Sequence, residues 1–388
     1  MSKTQSERLA HLWLLFVPLI LSASTARAMG DPPSPSANPG QASVPFAVVG
    51  ELNGDRTLDL VMVDRVHGEA SVRLGRGDGT FAPENRFYAG NGAAFAAIGD
   101  LDGDGNGDLV VGNGESGELR FFMGYGDGTF GRETSLRAGD RPTAVAVADF
   151  DGDGGQDLAI TNGESGDISL LLGSRNGGQD GNMFEPEKRF KVGKEPQSLA
   201  IGDFNDDGRQ DLVVTNRRSN SVSILPGAPA GGVFSSQKRL RVGKAPDTVL
   251  VADFNNDGFQ DLAVVNRGSG DLSVLIGIGG GKFKTESRYG FIGPVVSIAA
   301  GDFNADKLVD LAVVVGGHDV YFLKSLGDGS FRSSSTGIGF SPIVLSVGDF
   351  NADGKQDLLA AGEPDGVSAW LGRGDGAFVS RASAGSGR

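Results

Sequence analysis

The segment Asp100-Leu101-Asp102-Gly103-Asp104-Gly105-Asn106-Gly107-Asp108 places oxygen side chains at the first, third, fifth and ninth positions of a short loop. That spacing wraps a hard cation that takes about six to eight oxygen ligands, and calcium is the expected occupant. Six more copies follow the same plan, so up to seven ions are expected. Their oxygen slots are Glu51, Asn53, Asp55 and Asp59 in copy one and Asp149, Asp151, Asp153 and Asp157 in copy three. Copy four offers Asp203, Asn205, Asp207 and Asp211, and copy five Asp253, Asn255, Asp257 and Asp261. Copy six has Asp302, Asn304, Asp306 and Asp310, and copy seven Asp349, Asn351, Asp353 and Asp357. Position six is Gly105, Gly154, Gly208, Gly258 or Gly354 in five copies, where a sharp turn calls for a positive φ. Arg56 and Lys307 stand there in copies one and six, and a cation at the turn counts against an ion in both. Position seven is expected to lend a backbone carbonyl.

An EF-hand needs a chelating Glu at position twelve and a helix on each side. Here position twelve is Met62, Val111, Ile160, Val214, Val264, Val313 or Ala360, each inside an apolar run such as Leu212-Val213-Val214. Such runs read as buried strands, so each loop joins two strands. A single Asp-Gly loop is usually no more than a tight turn. Seven with one ligand spacing argue for a shared ligand.

The elements that must position these loops repeat with them. Copies start 49, 49, 54, 50, 49 and 47 residues apart, which is the period of an array. Four strands are legible in one repeat, at 143–148, 158–161, 168–172 and 188–192. Four strands in about fifty residues make a propeller blade. The expected fold is therefore all-β, a seven-bladed β-propeller of four-stranded blades with calcium loops between first and second strands. First strands are built from small residues, as in Ala144-Val145-Ala146-Val147-Ala148, which suits a crowded central axis. Third strands alternate and end in turns such as Gly-Asp-Gly-Thr-Phe. The Phe of that turn recurs at 81, 130, 184, 234, 283, 331 and 378, and loop position two is Phe150, Phe204, Phe254, Phe303 or Phe350. Most aromatics are thus assigned to the core. Fourth strands are basic, as in Lys188-Arg189-Phe190-Lys191 and Lys238-Arg239-Leu240-Arg241, which protects an outer edge from pairing with other chains.

Residues 1–28 carry Lys3 and Arg8, an apolar run from Leu12 to Ser24, then Ala26-Arg27-Ala28, the shape of a secretory signal cleaved near Ala28. The run is too short to span a bilayer comfortably, and no transmembrane anchor is expected in the mature chain. Residues 29–43 read as a Pro/Ser-rich linker, 44–381 as the seven repeats and 382–388 as a flexible tail. The chain has no cysteine, which excludes a disulfide framework. Its formal net charge is −14, and bound divalent ions would cancel most of it. Such acidity argues against nucleic acid as a partner. Secreted or periplasmic placement fits weak calcium sites, of about 10⁻⁴ to 10⁻³ M.

Over residues 44–381 the pattern resembles the FG-GAP or VCBS repeat family, which builds the seven-bladed propeller of integrin alpha subunits. The resemblance implies calcium on the loop face and partner binding on the opposite face. That face would present Asn113, Asn162, Asn216 and Asn266, with Arg217, Arg218 and Arg267 beside Arg141, Lys194 and Lys244. A monomeric binding or adhesion scaffold for an extracellular protein or glycan, of acidic character, is the expected function.

Other chemistry is poorly provided for. Arg76-Gly77-Asp78 and Arg373-Gly374-Asp375 occupy the turn where other copies put Tyr125-Gly126-Asp127, so turn geometry accounts for them. Past residue 28 only His67 and His318 remain, both in loops. No nucleophile with a base stands out, and no catalytic role is expected. The alternative is a carbohydrate-active protein on the same fold, a lectin or a polysaccharide lyase. Sugar pockets usually stack rings on aromatics, and Trp370 is the one Trp past residue 28.

Overall fold

The computed structural model describes residues 46–173, 183–228, 233–316, 319–337, 341–363 and 366–382. The signal-like segment 1–28, the linker 29–43, His318 and all but the first residue of the tail lie outside them.

Seven four-stranded antiparallel sheets follow one another along the chain, at 46–88, 93–137, 142–191, 196–241, 246–290, 295–337 and 341–382. They are numbered here as blades one to seven. Each inner strand touches that of the next blade, and Phe46–Gly50 of blade one touches Ser341–Gly348 of blade seven. The chain is a closed seven-bladed propeller. Both end blades are built from contiguous sequence, so among the described residues no strand is exchanged across the seam. In blade three the strands run Pro142–Ala148, Asp157–Asn162, Asp167–Leu171 and Lys188–Lys191, within a residue or two of the sequence reading.

Burial explains the composition. Second strands such as Asp157–Asn162 and Asp211–Asn216 are buried at every position because blades cover both faces. Third strands depart from expectation. In blades three and four they are buried throughout rather than on alternate residues. The polar members turn inward instead: Asn162 Nδ2 donates to Ser169 Oγ at 2.8 Å, and Asn216 Nδ2 to Ser223 Oγ at 2.9 Å. The alternation in sequence marks an internal polar ladder.

The recurrent phenylalanines join blades. Phe150 meets Phe234 of the next blade at 5.5 Å between ring centroids, Phe254 meets Phe331 at 5.4 Å and Phe303 meets Phe378 at 5.7 Å. Phe350 of blade seven meets Phe81 of blade one at 6.1 Å, so one contact serves ordinary interfaces and the seam.

Candidate metal loops and the opposite face

Position nine of every loop is already the first residue of a second strand, and its carboxylate is buried. In blade three Asp157 accepts the N–H of Phe150 at 2.7 Å and of Gly173 at 2.9 Å. The same pair of bonds recurs at Asp59, Asp108, Asp211, Asp261 and Asp357, with Leu52, Leu101, Phe204, Phe254 and Phe350 as one donor. The second donor ends the third strand at Gly124 and Gly372 and lies two residues beyond it at Gly75, Gly227 and Gly277. Asp310 accepts from Ser325 at 2.8 Å and from the amide of Asn304 at 2.5 Å. Each such Asp therefore ties the start of its loop to the end of the third strand, a role that ligand spacing alone did not reveal. Glycines recurring about sixteen residues later were the signal available in sequence.

Position one closes the turn. Asp149 Oδ2 accepts Gly154 N–H at 2.9 Å, and Asp203, Asp253 and Asp349 bind Gly208, Gly258 and Gly354 at 2.7–2.8 Å. Lys307 adopts a φ of +69° and donates its N–H to Asp302 Oδ2 at 2.8 Å, as the glycines do. Arg56 sits at +68°. The cationic residues thus keep the loop conformation in copies one and six.

Two loops gather carboxylates. Asp100, Asp102 and Asp108 bring one oxygen each within 4.8 Å of one another, and so do Asp149, Asp151 and Asp153. Asp104 and Asp157 stand outside these triads. Asp100 Oδ1 is buried with no hydrogen-bond partner. Burial raises Asp108 to about 6 and Asp157 to about 7, and neighbouring loop carboxylates push further in the same direction. Asp102 and Asp151 are raised for the same reasons. Carboxylates crowded together, with Asp108 buried and one oxygen of Asp100 unsatisfied in blade two, are a donor set that fits a hard cation.

In the remaining loops cations or amides meet the carboxylates, as the amide of Asn106 meets Asp104 at 2.9 Å in blade two. Arg209 pairs with Asp207, Lys324 with Asp306 at 3.2 Å and Lys355 with Asp353 at 3.5 Å. Asn53 and Asn255 direct their amide nitrogens to Asp55 and Asp257, and Asn205 and Asn304 to Asp211 and Asp310. Asn351 Oδ1 accepts the N–H of Asp353 at 3.0 Å.

The opposite face differs from the sequence expectation. Asn113, Asn162, Asn216 and Asn266 are buried, not presented. Asn216 Oδ1 accepts the N–H of Gly193 at 2.8 Å, and a Cβ on Gly139 or Gly243 would collide with Asn162 or Asn266. These amides stitch the loop after the second strand to the preceding connection, a contact over about twenty residues that local turn propensity hides. Three of the basic residues converge on Glu195: Arg218 Nε at 2.7 Å, Arg141 Nη2 at 3.2 Å and Arg217 Nη1 at 3.8 Å. Arg267 pairs with buried Asp247 at 3.0 Å and reaches the carbonyl of Val296 in blade six, which places it between blades. Lys194 and Lys244 give their backbone N–H groups to Ser219 and Ser269. Between blades three and four lies a cleft of about 740 Å³ lined by Arg141, Lys194, Glu195, Arg218 and Arg239. His67 Nδ1 lies 2.6 Å from Asp64 Oδ2 on the exposed rim of blade one, and this bond raises its pKa. Trp370 lines a separate apolar cavity of about 230 Å³ between blades six and seven, with Phe322 and Phe378.

The pattern of FG-GAP-like repeats matches residues 52–111, 100–160, 149–214, 203–264, 253–313 and 302–360, most of the chain. The chain belongs to the FG-GAP-like repeat family. Among solved structures this FG-GAP propeller is similar to BBS1N, crystallised in complex with ARL6DN, at 15% identity and a TM-score of 0.60 over 87% of this chain and 94% of that one. It is also similar to Sqt1 of Saccharomyces cerevisiae, at 13% identity and a TM-score of 0.59 over 86% and 84%. A functionally unknown protein from Desulfotomaculum acetoxidans gives 13% identity and 0.53 over 79% and 87%. At these identities the likeness is one of fold. No curated protein matches the chain. Among the described residues no helix is long and apolar enough to cross a membrane.

Proposed function

We propose that this FG-GAP-repeat protein is an exported, calcium-stabilised propeller that serves as a binding scaffold for an extracellular partner and has no catalytic role. The observation that carries the calcium reading is the unpartnered, buried Asp100 Oδ1 in a triad with Asp102 and Asp108. Asp100, Asp102, Asp104 and Asp108 with the carbonyl of Asn106 would hold the ion in blade two, and Asp149, Asp151, Asp153 and Asp157 in blade three. Calcium would supply there the positive charge that the neighbouring side chains do not. Blades four, six and seven, whose position-five carboxylates meet Arg209, Lys324 and Lys355, take the ion more weakly.

Two further observations support a scaffold. The acidic loops occupy one face and a basic cleft the other, which separates a stabilising end from a contact end. The fold is one that holds a protein partner in the BBS1N complex. The signal-like residues 1–28 and the lack of cysteine support export without disulfides.

Thermal unfolding of the full mature chain in calcium and in EGTA tests the stabilisation, and a glycan array with a pull-down from the native secretome tests the scaffold. A higher melting temperature in calcium and a retained ligand are expected. Identical melting curves would overturn the first half, and no ligand of any class the second.

A further inference from the structure

We propose that the cleft between blades three and four binds a uronate-bearing oligosaccharide. This rests on the scaffold reading and names the ligand class of its contact face. The cleft is about 740 Å³, within the range of small-ligand sites. Its walls come from the loop after the second strand of blade three (Gly163 to Gly166), the connection Val192 to Glu195, and Arg218, Ser219 and Arg239 of blade four.

The charge of the lining is the first argument. Arg141, Lys194, Arg218 and Arg239 face Glu164 and Glu195, a positive excess on a chain of net charge −14. The cations divide by role. Glu195, only 13% exposed, holds Arg218 at 2.7 Å and Arg141 at 3.2 Å, so these guanidinium groups are fixed before any ligand arrives. Among the described residues no carboxylate pairs with Lys194 or Arg239, and both are exposed. A fixed guanidinium pair flanked by two uncompensated cations suits a carboxylate, which Arg binds with planar complementarity.

The rest of the lining separates a glycan from a peptide. Val192 is the one apolar side chain among the lining residues, and no aromatic is present. A peptide anchors by burying apolar or aromatic side chains, for which these walls offer nothing. A neutral sugar would want an aromatic to stack on. A uronate chain is polar on every edge: its carboxylates meet the cations, and its hydroxyls can donate to Glu164 and exchange bonds with Ser165 and Ser219. The positive excess of the lining attracts a polyanion through exposed charges that salt screens, so binding weakens as salt rises.

The test measures binding of hexagalacturonate, neutral maltohexaose and a hexaglutamate peptide to the full mature chain in calcium by titration calorimetry. Hexagalacturonate alone is expected to bind, and the double variant Lys194→Gln, Arg239→Gln to bind it about tenfold more weakly or worse. Both positions are exposed and, among the described residues, meet no carboxylate; Arg239 reaches only the amide oxygen of Gln237 at 3.4 Å, so the variant keeps the wild-type melting temperature. Arg218→Gln checks the guanidinium pair in the same way. Unchanged affinity in the double variant, or hexaglutamate binding as tightly as hexagalacturonate, would overturn the assignment. If hexagalacturonate fails while the array or secretome still yields a ligand, the cleft assignment falls and the scaffold stands. If no ligand emerges from either, both fall.

Discussion

Gly79 of blade one donates its backbone N–H to the carbonyl of Phe350 in blade seven at 2.9 Å. The same bond joins Gly128 to Leu52, Gly281 to Phe204 and Gly376 to Phe303 at interior interfaces. The seam therefore repeats the ordinary contact between blades, and the ring closes without an exchanged strand because the turn after each third strand already reaches the neighbouring loop.

Replacing Gly79 tests that closure. Gly79 has a φ of +80°, and a Cβ there would lie 2.9 Å from Leu371 of blade seven. Gly54 has a φ of +77° with nothing within 4 Å. Gly54→Ala is expected to cost about 1 kcal/mol from backbone strain alone, and Gly79→Ala roughly 2–4 kcal/mol once overpacking is added. Urea unfolding of the two variants checks this. Equal losses would mean that Leu371 makes room for the methyl and that the seam is not tightly packed there.

Positions three and nine of a loop should respond differently to chelation. Asp157→Ala leaves the N–H groups of Phe150 and Gly173 buried without an acceptor, at about 1–3 kcal/mol each. That loss persists in EGTA. Asp151 is half-exposed and its pKa is raised by burial and by Asp153 and Asp149, so Asp151→Ala destabilises in calcium and is near neutral in EGTA. Melting curves of both variants with and without calcium decide it; a large Asp151→Ala loss in EGTA would contradict the division of roles.

The ring itself was legible in the sequence because each blade repeats within about fifty residues, and spacing, small inner strands and two Phe slots all recur in phase. Site chemistry was legible where it is local: Asp100, Asp102 and Asp108 do converge. What escaped are contacts between segments that the turn brings together. The bond from Asp157 to Gly173, the packing of Asn216 on Gly193 and the grip of Glu195 on Arg141 and Arg218 each join residues of different elements or blades. A polar residue beside Gly in a loop reads as a turn until its distant partner is known, so sequence alone puts Asn162 and Asn216 on the surface although both are buried.

Asp167 supplies a pH dependence. Burial alone would raise its carboxyl, but hydrogen bonds from Arg189, Ser165, Lys191 and Asn162 outweigh this and hold it at about 2. An unfolded aspartate titrates near pH ~3.9. The stabilisation is thus complete above that pH and is lost as pH falls toward 2. Asp167→Asn should cost about 1–2 kcal/mol at neutral pH, discounted for the exposure of Lys191, and much less near pH 2. Denaturant unfolding across that range measures it. A loss independent of pH would remove the ion pairs as its source.

Calcium uptake by the purified protein, followed by titration calorimetry after chelation, bears most directly on the whole account. Heat of binding is predicted, with Asp102→Ala and Asp151→Ala each removing uptake that Asn304→Ala leaves in place, and with each filled site adding about 2.7 kcal/mol of stability at a hundredfold excess over its Kd. No heat on addition of calcium to the wild-type chain, or equal effects of the three substitutions, would contradict it.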